Sequence, residues 1–286
     1  MCYIPRIGYL DRILACRNAD LGSFVPWRVA GAEVGRVHRD RVPRLAGVLE
    51  QEEGAWLLPG RDFGERSRHL ASLVAELAAQ GEIRPLTGEF YPVGAPGGPP
   101  LLQVDRAAVP WFGVGSSGVH LNGHLWRDGV LHLWLAERSR SKSTYPGHLD
   151  NLVAGGQAIG SSALTTLVKE CGEEAGIAPQ LAAQAEPKAR ITYVQQDGLG
   201  LKADTLQCFD LQLPDDFEPR AVDGEVESFR LLPVGEVAAS LRGGDRWKPN
   251  SALVVLDFLL RHGALDAELD TAARSSLWQA LHGQLP

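Results

Sequence analysis

The chain has 286 residues, and at roughly 150 residues per domain this length favours two domains. Hydrophobic residues make up 44% of the chain and charged residues 22%, which is typical of a folded globular protein and excludes general disorder. The 28 Lys and Arg residues against 35 Asp and Glu residues give a net charge of −7. This acidic balance argues against a nucleic-acid partner, because phosphate contacts require a clustered basic excess.

The cysteines and the first residues of the chain bear on its compartment. The cysteines form no CxxC pair and no disulfide framework, so we expect reduced thiols that pack as small hydrophobes; they are Cys2, Cys16, Cys171 and Cys208. No apolar run approaches the about 18 residues of a membrane span. Arg6, Asp11 and Arg12 interrupt any signal-peptide core. We therefore expect a cytoplasmic protein with no membrane partner.

The first hundred residues alternate short helical and strand patterns. Residues 9–15 are amphipathic with a helical period, and residues 70–77 carry apolar side chains at the i, i+3, i+4 and i+7 positions of a second helix. Residues 24–29 and 33–37 predict a β-hairpin that turns at Ala30 and Gly31. The Gly- and Pro-rich stretch 94–100 predicts a surface loop near a domain boundary.

The pattern changes after this loop, so we place an accessory α+β domain at 1–108 and a second domain at 109–286. Residues 119–126 and 130–135 predict a hairpin, because Asp128 and Gly129 suit the positive φ of a tight turn. The remaining predicted elements of the second domain are a helix at 161–175, strands near 189–196, 204–213 and 225–232, and helices near 234–241 and 250–262. Strands mixed with helices without a regular βαβ repeat predict a mixed α/β (α+β) fold.

The predicted helix 161–175 carries a cluster of carboxylates. Glu170, Glu173 and Glu174 have the i, i+3, i+4 spacing that brings side chains together on a helix surface. One pair of like charges 4 Å apart costs about 4 kcal/mol at an effective dielectric near 20, and a hard cation such as Mg²⁺ offsets that repulsion. The alternative is a solvated acidic face. The apolar side of the same helix is expected to contain Leu164, Leu167, Val168, Cys171 and Ala175.

The segment from Gly155 to Ile177 resembles the Nudix box, the signature of metal-dependent hydrolases that act on diphosphates linked to another group. Its spacing matches throughout: Gly155 occupies the leading glycine, and the later invariant positions are occupied by Glu170, Glu173, Glu174, Gly176 and Ile177. The resemblance implies a Nudix α/β/α sandwich with a mixed sheet over 109–286. It also implies Mg²⁺ or Mn²⁺ held by Gly155, Glu170, Glu173 and Glu174.

Two positions depart from that box. Ser161 stands where the box has its first Glu, and Lys169 stands where it has Arg; Cys171 at an aliphatic position is a small change of volume. In the family the missing Glu and Arg are mainly structural partners, and their joint alteration can be compensatory. Because the three later carboxylates are present, we expect an active enzyme.

The resemblance extends to one Nudix subfamily, the plant organellar Nudix hydrolases and fungal thiamine pyrophosphokinase-related proteins with an extra N-terminal domain. The matching segments are 112–113, 118–123, 138–156, 223–227 and 248–250. The subfamily implies hydrolysis of thiamine diphosphate, especially of its oxidised oxy- and oxo-analogues, to the monophosphate and phosphate. The alternatives are a Nudix hydrolase of another nucleoside-diphosphate-type substrate, and a weakly catalytic ligand-binding module.

Charge and position in the sequence indicate further candidate residues of the substrate site. Arg138 and Lys142 precede the Gly-rich strand and are suited to grip a diphosphate, with an exposed loop pair as the alternative. Gly156 is expected in the same substrate site. Glu225 is a candidate for an extra ligand or base, with a strand-end salt bridge as its alternative.

Other side chains favour structural roles. His120 and His124 share one strand face without a third ligand, so structural histidines are favoured over a zinc site. Aromatic residues in alternating strands are more typical of the hydrophobic core than of ring stacking on a substrate, and we expect this of Trp111, Phe112, Trp126 and Trp134. We expect residues before about 105 to contact the organic part of a small-molecule diphosphate. The strand edges of the predicted hairpins are suited to contacts between two copies of the chain, so a homodimer is one alternative for the oligomeric state.

Overall fold

The computed structural model describes residues 8–52, 54–244 and 246–283, and its N-terminal region combines small β-sheets with helices. The helices there are α1 (Tyr9–Ala15), α2 (Phe63–Ala79) and α3 (Val109–Phe112). The strands are β1 (Phe24–Val29), β2 (Ala32–His38), β3 (Glu50–Glu52), β4 (Ala55–Leu57), β5 (Phe90–Val93) and β6 (Leu102–Asp105). One sheet has the order β2-β1-β4-β3, and β5 pairs with β6.

Local sequence explains several of these elements. The β1–β2 hairpin turns at Ala30 and Gly31, both with positive φ, as the sequence predicts. Helix α2 starts after Asp62, whose side chain accepts a hydrogen bond from the Glu65 backbone N–H at 2.8 Å. It therefore extends further upstream than the 70–77 pattern alone indicates.

The rest of the chain forms a larger mixed sheet and its flanking helices. The strands are β7 (Gly115–Arg127), β8 (Val130–Arg138), β9 (Leu149–Asn151), β10 (Val153–Gly156), β11 (Glu186–Asp197), β12 (Gly200–Gln212) and β13 (Val226–Pro233). The helices are α4 (Ala163–Ala175), α5 (Pro179–Ala182), α6 (Val234–Gly243), α7 (Pro249–Arg261) and α8 (Thr271–His282). The sequence pattern did not predict α5, α8 or the short strands β9 and β10.

The larger sheet is covered on both faces. Its order is β11-β12-β7-β8-β13, with β10 added beside β7 and β9 beside β8. Strands β12 and β7 are parallel, and the other pairs are antiparallel. Helix α4 packs with Val119 and Leu121 on one face, and α7 packs with Leu133 and Leu135 on the other. This α/β/α sandwich with a mixed sheet confirms the predicted fold class.

The hydrophobic clusters interlock the two regions. Tyr9 and Ile13 of α1 pack in the cluster that contains α7. Conversely, Trp111 and Phe112 pack with the N-terminal sheets. The boundary near residue 108 remains a prediction, and apolar contacts cross it in both directions.

Two further sequence predictions have structural outcomes. Leu164 is 45% exposed, so its placement on the apolar side of α4 was wrong; that side buries Leu167, Cys171 and Ala175. Cys16, Cys171 and Cys208 are buried and unpaired, whereas Cys2 lies outside the described residues. Within 8–52, 54–244 and 246–283, no helix is long and apolar enough to span a membrane.

Candidate active site

Strand β10 and helix α4 bring the predicted carboxylates to the backbone of the Gly-rich strand. Helix α4 begins after Ser162, whose hydroxyl accepts from the Thr165 backbone N–H at 3.1 Å. It ends at Gly176, whose φ of 66° is left-handed. Both ends are therefore set by local sequence, and Glu170, Glu173 and Glu174 lie in the last two turns.

Glu170 packs directly over Gly155. A Cβ atom at position 155 would lie 2.3 Å from the Cγ of Glu170, so a side chain there and the present position of Glu170 are mutually exclusive. The side chain of Glu170 is 15% exposed. Burial raises the pKa of its carboxyl, and the neighbouring Lys169 ammonium opposes this shift.

Glu174 is buried beneath β10. Its Oε2 accepts a hydrogen bond from the Ala154 backbone N–H at 2.8 Å, and the residue is 8% exposed. Burial raises the pKa of the Glu174 carboxyl, against the smaller effect of that hydrogen bond. Among the described residues it has no ion-pair partner, so the buried charge calls for a proton or a cation.

Glu173 is exposed and shares a cation with Glu170. The Lys169 Nζ lies 2.7 Å from Glu173 Oε2 and 3.2 Å from Glu170 Oε1. The two carboxylates therefore already hold one positive charge between them. Lys169, which occupies the box position of Arg, pairs with the carboxylates, whereas Ser161 bonds to the Thr166 hydroxyl at 2.9 Å. The two departures from the box therefore make separate contacts.

The donor set fits a hard divalent cation such as Mg²⁺ or Mn²⁺. Glu170 and Glu173 share the Lys169 ammonium, and Glu174 is a buried carboxylate without a cationic partner in the described chain. In residues 8–52, 54–244 and 246–283, no group of three or more His, Cys, Asp or Glu side chains converges on one point. The carboxylates are thus not preformed as a cluster, and water and substrate phosphates would complete the shell of a bound ion.

A cleft of about 660 Å³ opens on the other face of β10. Its wall includes Ala154, Gly155 and Gly156 of β10. Basic side chains dominate its charged lining, and they are Arg84, Arg106, Arg138, Lys142, Lys202 and Lys248. Such a lining suits an anionic ligand.

The N-terminal region supplies part of this wall. Arg84, Thr87, Tyr91 and Arg106 all line the cleft. Tyr91 lies against Gly156, because a Cβ atom at position 156 would be 1.5 Å from the Tyr91 hydroxyl oxygen. Gly156 therefore lines the cleft, and it also provides the space that lets the N-terminal region pack on β10.

Arg138 and Lys248 meet at the buried Asp150. The Arg138 Nη1 lies 2.9 Å and the Lys248 Nζ 3.0 Å from Asp150 Oδ2, and the Ser251 hydroxyl donates to the same carboxylate. Burial would raise the pKa of Asp150, but Lys248 and Arg138 outweigh it and hold that pKa well below its usual range. Arg138 also donates to the Thr144 carbonyl at 3.0 Å.

These bonds change the interpretation of Arg138. The sequence suggested a fork that grips a diphosphate, with an exposed loop pair as the alternative. The Arg138 side chain is 11% exposed, so it is not an exposed loop residue, and it is bonded to the protein on several nitrogens. It orders the 138–150 loop and adds positive charge to the cleft wall. Lys142, also predicted for substrate, forms an ion pair with Glu225 at the cleft.

That ion pair places Glu225 in the cleft wall with a lowered pKa. Burial alone would raise the pKa of Glu225, but the hydrogen bond and charge of Lys142 reverse the direction. A strand-end salt bridge was the alternative role, and the structure contains one. A carboxyl with a lowered pKa is less suited than Glu170 or Glu174 to accept a proton near neutral pH.

The far end of the cleft holds an acidic and aromatic group. Asp204 accepts hydrogen bonds from the Ser116 hydroxyl and from the Tyr193 hydroxyl, both at 2.6 Å. Burial raises the pKa of Asp204. The ring of Tyr145 lies nearby, 5.7 Å from the Lys202 Nζ.

Sequence reasoning missed several cleft residues. Arg84, Tyr91, Arg106 and Asp204 carry no local motif, and only the pairing of distant elements brings them to β10. The aromatic residues singled out by their strand patterns lie elsewhere: Trp111 and Phe112 are buried, Trp126 is 52% exposed, and Trp134 packs on the α4 cluster.

Comparison with known proteins identifies the family. Residues 8–116 match the sequence family described as a domain of unknown function, DUF4743. The chain is 38% identical to Nudix hydrolase 20, chloroplastic, of Arabidopsis thaliana over 282 residues, covering 91% of this chain and 74% of that protein. It is 37% identical to Nudix hydrolase 24, chloroplastic, of the same plant over 281 residues, covering 93% and 77%.

The chain therefore belongs to the Nudix hydrolases, enzymes that act on phosphoric anhydride bonds. Among solved structures, it is similar to the Nudix domain of NrtR from Shewanella oneidensis, crystallised with ADP ribose. That similarity has 14% identity and a TM-score of 0.43, and it covers 53% of this chain and 90% of the other. The family assignment depends on the two plant sequences.

Proposed function

We propose that this Nudix hydrolase cleaves thiamine diphosphate, or its oxidised oxy- and oxo-analogues, to the monophosphate and phosphate. The observation that carries the proposal is the charge arrangement around β10. A basic cleft lies on one face of the strand, and the carboxylates of α4 lie on the other. A diphosphate ester with a cationic organic part matches both the basic wall and the acidic far end of this cleft.

The phosphate end of the substrate is assigned to the basic wall. Arg84 bonds to the Ser143 hydroxyl and carbonyl, both at 3.3 Å. Of the basic side chains that line the cleft in the described chain, it alone has no carboxylate partner. Its guanidinium is therefore the one most available to a diphosphate.

The organic end is assigned to the group around Asp204. Thiamine carries a positively charged thiazolium ring, and a buried carboxylate among aromatic rings is a suitable partner for such a cation. Tyr145 and Tyr193 line the same part of the cleft. This assignment makes the N-terminal wall and the β11–β12 wall contact different halves of one substrate. It departs from the expectation that residues before about 105 contact the organic part, because Arg84 is here assigned to the phosphate end.

We assign Mg²⁺ or Mn²⁺ to Glu170, Glu173 and Glu174, with the Gly155 backbone beside them. When bound, the ion supplies charge neutralisation at the diphosphate oxygens and a water of lowered pKa. Lys169 must release Glu170 and Glu173 for them to serve as ligands. A carboxylate of this group that is not bound to the ion is suited to take a proton from the attacking water.

Hydrolysis of a substrate panel, followed by chromatographic detection of the monophosphate products, tests this proposal. The panel contains thiamine diphosphate, oxythiamine diphosphate, ADP-ribose and a sugar nucleotide, each with Mg²⁺, with Mn²⁺ and with a chelator. We expect the highest kcat/KM for a thiamine-type diphosphate and no turnover with chelator. A higher kcat/KM for ADP-ribose would replace the substrate assignment. Tight binding of thiamine diphosphate without turnover under every metal condition would instead indicate a binding module.

A further inference from the structure

A chain of buried polar side chains connects the cleft to helix α7. The His120 Nδ1 lies 2.8 Å from Asn151 Oδ1, and Asn151 Nδ2 lies 3.2 Å from Asn122 Oδ1. Asn122 Nδ2 in turn lies 3.0 Å from Asp210 Oδ1. His120 and Asp210 are each 3% exposed, and the two asparagines are each 1% exposed. Every member of this chain is thus almost completely removed from solvent.

The carboxylate end sets the direction of every bond in this chain. Arg261 donates to both oxygens of Asp210, at 2.6 and 3.1 Å, which keeps the carboxylate ionised and able only to accept. Asn122 must therefore donate through Nδ2, so its Oδ1 accepts from Asn151. The Asn151 Oδ1 is then the atom that faces His120, because reversing either amide would place two donors or two acceptors together.

The state of His120 follows from this order. An acceptor at Asn151 requires a proton on the His120 Nδ1. Burial lowers the pKa of His120 to about 4, and the positive charge of Lys248 acts in the same direction. A neutral ring with its proton on Nδ1 carries a free lone pair on Nε2.

The free nitrogen belongs to a residue that lines the cleft. His120 stands on β7 opposite Ala154 of β10. Across the described residues, no side chain or backbone group forms a hydrogen bond with its Nε2. A second cleft residue, Asn250, has a buried amide oxygen that has no hydrogen-bond partner among the described residues. A buried acceptor without a partner is costly, as at Asn250 Oδ1, and a ligand donor would also engage the open lone pair of the His120 Nε2.

We propose that His120 determines substrate specificity by accepting, at Nε2, a hydrogen bond from an N–H donor on the organic part of the substrate. The implied substrate class is diphosphate esters of amino-substituted heterocycles. This inference rests on the proposed function only in taking the cleft as the substrate site. In thiamine diphosphate the exocyclic amino group of the pyrimidine is such a donor, and in adenine nucleotides the purine amino group is.

The protonation state can be tested on the free protein. Long-range ¹H–¹⁵N NMR of histidine-labelled protein distinguishes the two neutral tautomers, and the His120→Gln spectrum identifies the His120 signals. We expect a proton on Nδ1 and an unprotonated Nε2 that persists to about pH 5. Addition of thiamine diphosphate without metal should shift the Nε2 resonance. A proton on Nε2 in the free protein, or an Nε2 resonance unmoved at saturation, would overturn the inference.

Two substitutions separate the ligand contact from the structural role. In His120→Asn, the side-chain amide can keep the donor to Asn151 but lacks an acceptor at the position of Nε2. In His120→Gln, the longer amide places an acceptor there. We expect His120→Asn to lower kcat/KM for thiamine diphosphate about tenfold through KM, the size of one hydrogen bond, and His120→Gln to recover part of that loss.

Methyl diphosphate provides the control, since its organic part has no N–H donor. Both variants should lose much less kcat/KM on it than on thiamine diphosphate. Equal losses on methyl diphosphate and thiamine diphosphate would show a structural role and refute the inference, as would the absence of any loss. If the wild type prefers ADP-ribose to thiamine diphosphate, the proposed function fails, and the same variants compared on ADP-ribose decide the inference independently.

Discussion

The two faces of β10 have opposite electrostatic character. On one face Glu170 and Glu174 of α4 reach the strand backbone. On the other face lies a cleft whose charged side chains are mostly basic. A single strand containing two glycines separates these environments. Under the proposed function, the carboxylates hold a cation and the basic wall holds an anion, so the two charge groups act together only on a metal-bound diphosphate.

Because neither glycine of β10 has a side chain, groups on both faces of the strand approach its backbone closely. At Gly155 the missing side chain leaves space for Glu170, and at Gly156 it leaves space for the hydroxyl of Tyr91. Consecutive residues of a strand point to opposite faces. The pair Gly155–Gly156 therefore admits one neighbour on each side, the catalytic helix on one and the N-terminal region on the other.

The largest expected effect is on the carboxylate face. Glu174→Gln keeps an oxygen for the Ala154 backbone N–H but removes the charge, and we expect kcat to fall by about 10²- to 10⁴-fold. The metal-free variant should unfold at the same or a higher temperature, because an unpaired buried charge has been removed. Phosphate release and thermal unfolding measure the two effects. Glu218→Gln, at an exposed position, is the control; full activity in Glu174→Gln would refute the assignment.

Alanine at each glycine tests the two faces separately. Gly156→Ala forces a movement of Tyr91, which is 5% exposed, and we expect a loss of about 1–3 kcal/mol in the free energy of unfolding. Gly155→Ala displaces the more flexible Glu170. We therefore expect it to lower kcat/KM more than Gly156→Ala does, and the free energy of unfolding less. Denaturant unfolding and kcat/KM are measured for both.

Gly198→Ala is the matched control for this pair, because a Cβ atom there meets nothing within 4 Å. It should leave stability and activity close to those of the wild type. If Gly155→Ala and Gly156→Ala instead behave alike in both measurements, the strand does not separate two functions and the comparison between its faces is wrong.

A smaller effect is expected from the basic wall. Arg84→Gln removes a guanidinium without a carboxylate partner in the described chain, and it should raise KM about tenfold with little change in kcat, as for one charge-assisted hydrogen bond. Arg68→Gln changes the same residue type at an exposed position of α2 and should have no effect. A fall in kcat with unchanged KM would place Arg84 outside substrate binding.

The smallest effect concerns the ion pair behind the cleft. Burial would raise the pKa of Asp210, but the His262 ring 3.7 Å away and the hydrogen bonds from Arg261 and Asn122 hold that pKa to about 2. Because this pKa is below its unfolded value, the stabilisation is present above about pH 4 and is lost as pH falls towards 2. The loss from this group between pH 5 and pH 3 is about 1 kcal/mol.

Unfolding of the wild type and of Asp210→Asn at pH 5 and pH 3 measures this contribution. The variant should be less stable at pH 5, and its stability should fall less between the two pH values. Asp216→Asn, at an exposed position, should retain the wild-type pH dependence. An identical pH dependence in Asp210→Asn and the wild type would contradict the assigned role of the pair.

Local sequence was sufficient wherever one segment determines its own geometry. The turns Ala30–Gly31 and Asp128–Gly129 have the positive φ values that tight hairpins require. The spacing of Glu170, Glu173 and Glu174 predicts that they share one helix surface, and the same spacing matches the family motif. In each case the interacting groups are neighbours in the chain, so spacing alone carries the information.

Sequence patterns are insufficient where the environment of a residue depends on segments that are distant in the chain. Leu164 fits an apolar helical period, but it lies in the first turn of α4, where the sheet does not cover it, and is exposed. The bonds of Arg138 to Asp150 and Thr144 form only after the loop folds back, so the sequence could not show them; the contact of Arg138 with substrate stays a prediction. Strands β9 and β10 are too short for a period to be detected.

The amino-acid sequence by itself determined the family, the mixed α/β architecture and the carboxylate helix, because periodicity, turn chemistry and a spaced motif are local properties. Tertiary structure alone decided which groups surround the cleft and in what ionisation state. It brought Arg84 and Tyr91 to β10, buried Glu174 without a counter-charge in the described chain, and ordered the bonds from Asp210 to His120. Burial and through-space charge set those properties, and neither quantity exists until distant segments pack together.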